Sequence, residues 1–369
     1  METSSPRSVA ALPKAHLHLH FTGSMRHSTL VELAAGHGVH LPPALTDEWP
    51  PQLSGTDERG WFRFQRLYDI ARSVLRTPAD VGRLLRETAE DERAEGSGWL
   101  EIQVDPSGYA NRFGGLTATV ELILSAATAA AAATGVGIGI IVAANRTRHP
   151  LDARTLARLA AQYAGQGVVG FGLSSDERRA PASDFIQAFR IAERAGLLLA
   201  PHGGELIGPA SVASCLDDLH ADRIGHGVRA VEDPLLVKRL AADGVTCEVC
   251  PASNVALGVA AGPRDVPLRA FVEAGVPVAL GADDPLLFGR RLAAQYLIAR
   301  DAHGFSDAEL AALARTSVRS SAAPPQVRAR LLAAIERWLS APALHLPRTA
   351  VVPPPPDRRT AQPCRGGRA

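Results

Sequence analysis

Lys14-Ala15-His16-Leu17-His18-Leu19-His20 carries a histidine at every second position, and Phe21-Thr22-Gly23-Ser24 follows at once. Side chains at i, i+2 and i+4 of a strand share one face, so the segment reads as a strand end aiming several imidazoles at one point. A lone histidine there is usually an ordinary polar residue. Three in register before a glycine turn point to a metal site built on one rigid element.

Outward from this segment, short apolar runs alternate with longer helix-like stretches, the pattern of parallel strands joined by helical crossovers. The expected strands are Ala15–His20, Trp99–Val104, Gly137–Val142, Gly167–Leu173, Leu197–His202, Arg223–His226, Val245–Val249 and Val276–Leu280. Eight strands over roughly 330 residues fit a (β/α)8 TIM barrel, and a doubly wound open sheet is the competing arrangement. The long stretch between Phe21 and Trp99 is expected to hold extra helices in the first crossover. Residues 1–11 read as a flexible N-terminus and 12–341 as one barrel domain. Residues 342–369, with Pro353 to Pro356 and several arginines, read as a disordered tail.

The chain has 369 residues, 46% hydrophobic and 21% charged, with net charge +1, which suits a soluble globular protein and suggests no nucleic-acid partner. Cys215, Cys247, Cys250 and Cys364 are too few for a disulfide framework. The N-terminus lacks the apolar run of a signal peptide, so a cytoplasmic location is expected. The apolar stretch from Ser125 to Ala144 is rich in Ala and Gly, and reads as a helix followed by a buried strand rather than a membrane span.

Polar residues gather at the expected strand ends. His18 and His20 end the first, His202 the fifth and His226 the sixth, and Asp283-Asp284 follow the eighth. In a barrel these positions face one mouth. Imidazoles with one carboxylate and no thiolate suit zinc, one ion per chain, better than other first-row metals. An open position on zinc holds water and lowers its pKa from 15.7 to roughly 7. Glu205, three residues after His202, is placed as proton donor. His226 and Asp283 are both candidates to orient the hydroxide.

Five ordered segments carry a resemblance: Pro13-Lys14 through His18-Leu19-His20 with Gly23-Ser24, His202-Gly-Gly-Glu205, Arg223-Ile-Gly-His-Gly227, Glu248-Val-Cys-Pro-Ala-Ser-Asn254 and Gly281-Ala-Asp-Asp-Pro285. Together they resemble the adenosine deaminase family, from about residue 12 to 325. The resemblance implies a zinc-containing barrel that replaces the 6-amino group of an adenine ring by oxygen and releases ammonia. His18, His20, His202 and Asp283 would then bind zinc. Glu205 would protonate ring N1, His226 would orient the hydroxide, Asp284 would contact N7 and the Ser175 backbone amide N3.

Two other features have plainer readings. His16, where relatives often carry an acidic residue, is expected to be a polar filler rather than a group supporting the ligands. Cys247 and Cys250 lack the Pro-Cys-x-x-Cys context of the smaller nucleobase deaminases and are expected to be buried strand residues.

The chain departs from the resemblance at Thr22, where relatives usually have an acidic residue that contacts the 5′-hydroxyl of adenosine. A neutral Thr22 points either to tolerance at the sugar or to a substrate with another 5′ group, such as an anionic one. The second option is similar to the branch of this family that deaminates 6-aminodeoxyfutalosine, used in one route to menaquinone, and that resemblance makes it the expected substrate, with Arg26, Arg146 or Arg148 receiving its carboxylate. Adenosine or 2′-deoxyadenosine is the alternative. A catalytically silent nucleoside-binding homologue is a different class, disfavoured because the acid and all ligands are present. An amidohydrolase with two metals and a bridging lysine is disfavoured because Lys14 precedes the strand and Lys238 lies in a helix-like stretch. Trp61-Phe-Arg-Phe64, with Leu67 and Tyr68, is a candidate lid over the sugar side, or ordinary helix packing.

Overall fold

Parallel strands covered by helices on one side and packed around a common axis on the other are buried on both faces, and these strands are buried almost throughout. The computed structural model describes residues 7–341. Its strands are β1 (Lys14–His20), β2 (Ser97–Val104), β3 (Gly137–Asn145), β4 (Val168–Ser174), β5 (Leu198–Gly203), β6 (Arg223–His226), β7 (Thr246–Val249) and β8 (Val278–Leu280). They pair in parallel in sequence order. The ring closes where Leu19 bridges Asp283. There the His20 amide donates to the Asp283 carbonyl at 3.0 Å, and the Asp283 amide to the His18 carbonyl at 3.1 Å. This is the expected (β/α)8 barrel, and its closure removes the doubly wound alternative.

The first crossover holds α1 (His27–His37), α2 (Glu58–Ser73) and α3 (Pro78–Ala94), the extra helices expected there. Helix α3 starts at a capping box: the Thr77 side chain accepts from the Asp80 amide and the Asp80 carboxylate from the Thr77 amide, with Pro78 in the first turn. Asp57 caps α2 by accepting from the Gly60 amide at 2.6 Å. Helix α4 (Leu116–Thr134) has mean hydropathy 1.6 and is long and apolar enough to cross a membrane. It links the paired strands β2 and β3 and buries Val120, Ile123, Ala127 and Ala130 along one face, so its apolarity serves the barrel wall.

Three expectations need correction or fall outside the description. Residues 7–11 are packed rather than flexible: Arg7 pairs with Asp307 at 3.2 Å, Val9 is buried, and Trp338 donates to the Ser8 carbonyl. Lys14 opens β1 instead of preceding it, and its buried ammonium donates to the carbonyls of Val9 and Glu95 at the base of the barrel. Residues 1–6 and the expected tail at 342–369 lie outside the described residues.

Candidate active site

Strand β1 delivers His18 and His20 to the mouth, β5 delivers His202, β6 delivers His226, and the turn after β8 delivers Asp283 and Asp284. The resulting contacts are close. Asp283 Oδ1 lies 3.2 Å from His20 Nε2 and 3.6 Å from His18 Nε2, and His20 Nε2 lies 3.2 Å from His202 Nε2. One ligand atom from each of His18, His20 and His202 falls within 4.8 Å of the others, and His18, His226 and Asp283 form a second such set. His18 Nε2 is buried without a hydrogen-bond partner.

The backbone is held in unusual conformations to achieve this. Ser175, His226 and Asp283 have positive φ of 78°, 64° and 60°, a left-handed conformation that costs a non-glycine residue energy and often marks functional sites. Gly23 makes room in a different way. A Cβ there would sit 1.8 Å from Asp284 Oδ1, so only glycine lets the turn after β1 pass over that carboxylate.

Carboxylates behind the imidazoles orient them. Glu248 Oε2 lies 2.8 Å from His18 Nδ1, while its Oε1 accepts from Arg223 Nε at 2.6 Å. Ser253 Oγ donates to Asp283 Oδ2 at 2.6 Å. The buried Glu177 gathers the amides of Gly204, Glu205, Leu206 and Ile207, at 2.6–3.1 Å, and the Ser211 hydroxyl. It thereby fixes the loop that carries Glu205. His16 is more than a filler: its Nδ1 lies 2.7 Å from Glu92 and its Nε2 accepts from the Ala282 amide at 3.0 Å, which steadies the residue before Asp283.

Burial and charge divide the site into distinct protonation roles. Burial, with Asp283 and Glu177 nearby, pushes the Glu205 carboxyl well above its usual range, which favours its acid form. Burial, with Asp283 next to it, raises Asp284 to about 7. Burial and the neighbouring His18 hold His226 down at about 3, and the same causes keep His202 well below an ordinary histidine. His18 is the exception. Burial opposes its charge, but Asp283 and Glu248 prevail and raise it to about 10. The carboxylates that favour a proton on His18 favour a metal cation on the same lone pair equally.

A cavity of about 70 Å³ opens onto this cluster, lined in part by His20, His202, Glu205, His226, Asp283 and Asp284. Ser175 lines it too, as expected. Helix α2 forms its outer wall through Trp61, Phe64, Gln65, Tyr68 and Arg72, and Phe64 stacks on Phe288 with centroids 5.9 Å apart. Of the proposed lid, Trp61, Phe64 and Tyr68 face inward, Leu67 does not line the cavity, and Phe62 is 67% exposed.

Four expected substrate contacts are not brought to this cavity. Thr22 is turned inward by the short helix at residues 22–24 and shares a hydrogen bond with the Tyr109 hydroxyl. Arg26 is held by Asp91 and Glu90 of α3. Arg146 is buried and donates to the carbonyls of Ala180 and His202, supporting the strand end that carries His202. Arg148 is exposed in the loop after β3. The residues missed in the sequence are Glu248, Glu177 and Ser253. Glu248 offered one signal, a charge inside the short apolar strand Thr246–Val249, because carboxylates are almost never fully buried unless paired.

The chain is similar to proteins over nearly its full length. A Streptomyces coelicolor protein named provisionally as an adenosine/adenine deaminase is 68% identical over 339 residues, covering 91% of this chain and 99% of the relative. An adenine deaminase of Rhizobium meliloti is 38% identical over 330 residues, 88% of this chain and 99% of the relative. Among solved structures, the adenine deaminase from Arthrobacter aurescens superposes with a TM-score of 0.83 at 32% identity, covering 90% of this chain and 100% of that one. A zinc-bound amidohydrolase from Burkholderia ambifaria gives 0.79 at 25%, covering 89% and 90%. Residues 13–338 match the adenosine deaminase family, and the chain belongs to that family of barrel hydrolases that deaminate adenine-type substrates.

Proposed function

We propose that the protein is a zinc-dependent deaminase of free adenine, converting adenine and water to hypoxanthine and ammonia. The lining of the cavity carries this reading. It includes Glu205, Asp284 and Ser175, the groups expected at the ring nitrogens, and none of Thr22, Arg26, Arg146 and Arg148, the groups expected at a 5′ substituent. Trp61, Phe64 and Tyr68 of α2 also line it. The names of the Rhizobium and Arthrobacter relatives support the same substrate. The expected 6-aminodeoxyfutalosine is less well served, because Arg26 and Arg146 are already paired and Arg148 is exposed on the surface. Adenosine is the second reading, and the name of the Streptomyces relative covers both substrates.

Zinc is supported by the donor set. His18, His20, His202 and Asp283 offer three imidazoles and a carboxylate, and the buried, unpartnered His18 Nε2 is suited to a ligand's role. When bound, the ion supplies Lewis acidity that makes hydroxide available near neutral pH. The protein's own groups do the rest. Glu205, whose acid form burial favours, delivers its proton to N1 as oxygen adds to C6, so ring electron density has somewhere to go. Neutral His226, whose Nε2 lies 3.6 Å from Glu205 Oε1, orients the attacking oxygen. Asp284, near half-protonated at neutral pH, can donate to N7, which carries only a lone pair in the 9H tautomer. The C6 hydroxyl proton passes to the amino group, which leaves as ammonia and restores the ring as the 6-oxo form, and the proton given up by the attacking water returns Glu205 to its acid form. The free buried thiols Cys215, Cys247 and Cys250 support a cytoplasmic, reducing setting.

Incubating the purified, zinc-loaded protein with adenine and following hypoxanthine and ammonia tests the reading. Equimolar formation of both is expected. Conversion of adenosine with no reaction of adenine would overturn it.

A further inference from the structure

Gln103, at the end of β2, is fully buried, lines the cavity, and has no hydrogen-bond partner at either Oε1 or Nε2. A buried carboxamide with both ends unpaired forgoes the hydrogen bonds it would make to water and is costly, so its place in a catalytic cavity calls for a ligand. Two neighbouring side-chain oxygens on this side are already engaged. Asn145 Oδ1 accepts from the Thr147 amide and hydroxyl at 2.8 and 2.7 Å, and Asp105 Oδ1 accepts from the Ser107 amide at 2.9 Å.

The strand order indicates which part of the base Gln103 meets. Around the barrel from the β8–β1 closure, the cavity presents Asp284 after β8, Gln103 on β2, Ser175 after β4 and Glu205 after β5. Around a purine from the imidazole nitrogen the order is N7, N9, N3, N1. With Asp284 at N7 and Glu205 at N1, the N9–N3 edge falls to β2 and β4.

We propose that the Gln103 carboxamide is the specificity-determining contact for the free base, with Oε1 accepting the N9–H of adenine and Nε2 facing the N3 side. The inference rests on the reading of the site as an adenine deaminase and deepens it. A 9-substituted purine has no N–H to give, and leaves Oε1 buried against carbon. Sites built to hydrogen-bond a substrate group reject analogues lacking it by about 10⁴–10⁵-fold.

The test compares kcat/KM for adenine and 9-methyladenine in the full-length zinc-loaded protein and in Gln103→Leu, Gln103→Glu and Gln103→Asn, with zinc content measured for each. Wild type is expected to prefer adenine strongly. Gln103→Leu should lower adenine kcat/KM by about 100-fold, chiefly through KM, while 9-methyladenine loses much less, so the preference narrows by nearly that factor. Gln103→Glu keeps an acceptor oxygen and should keep most of the preference. Should Gln103→Leu not fold, Gln103→Asn withdraws the acceptor and must show the same narrowing. Equal losses for both substrates, or an unchanged preference in Gln103→Leu or Gln103→Asn, overturn the role of Gln103 while leaving adenine as the substrate. A wild type that favours adenosine over adenine overturns the free-base reading itself.

Discussion

Glu248 Oε2 stands 2.8 Å from His18 Nδ1, deep in the barrel, with both side chains fully buried. The contact fixes the ring so that His18 Nε2 faces the mouth, and it raises the basicity of that nitrogen. Partners of this kind are typically worth about 10–100-fold in metal affinity. Gln in place of Glu248 keeps the shape but removes the charge, so Glu248→Gln should weaken zinc binding by that factor. Competition with a chelator measures it, and unchanged affinity would assign Glu248 to Arg223 alone.

Glu205 should be needed for turnover and not for metal. Glu205→Gln is expected to lower kcat at least about 100-fold, the low end for a positioned acid, with zinc content intact. The pH dependence has a definite sign. Because burial raises the Glu205 pKa, its acid form persists to higher pH than an ordinary carboxyl's, and kcat should fall as pH rises through the raised pKa. Gln cannot titrate, so the residual activity of the variant should lack this alkaline limb.

Gly23 makes a sharper geometric case. An added methyl would lie 1.8 Å from Asp284 Oδ1, and the buried carboxylate must move. Displacement of a positioned group by about 1 Å can cost about 10²-fold. Gly23→Ala should therefore lower kcat/KM by about that much with metal content unchanged, which steady-state kinetics beside metal analysis will show.

Asp80 offers a stability test far from the metal ligands. Its carboxylate accepts from the amides of Arg76 and Thr77 at 2.9 and 2.8 Å and pairs with His37 at 2.9 Å. Burial works against the charge, but these hydrogen bonds prevail and hold its pKa below the usual value. A depressed folded pKa means the stabilisation is present above the unfolded value, near 3.9, and lost as pH falls through the folded one. Asp80→Asn should cost about 1 kcal/mol at neutral pH, and the gap from wild type in urea unfolding should close in acid.

The barrel and most of the cluster were legible because they rest on local regularities. Alternation placed His18 and His20 on one face, and the glycine turn marked where β1 ends. What was not legible depends on partners remote in sequence. Glu248 reaches His18 across 230 positions, and no spacing rule announces that. Arg26 looked like a receptor for an anion because it follows β1, yet Asp91, 65 positions away on α3, takes it. Thr22 sits where the resemblance placed it, but the short helix after β1 turns its hydroxyl toward Tyr109 rather than substrate. Position along a strand could be read from periodicity, and the direction of a side chain beyond the strand end could not.

The claim that the site takes a free base stands or falls on relative kcat/KM for adenine, adenosine, 5′-methylthioadenosine and 6-aminodeoxyfutalosine with the zinc-loaded protein. The expected result is adenine ahead of every nucleoside by at least about 10³-fold, given how strongly a buried contact rejects a substrate that cannot satisfy it. Equal or greater kcat/KM for any of the three nucleosides would contradict the account.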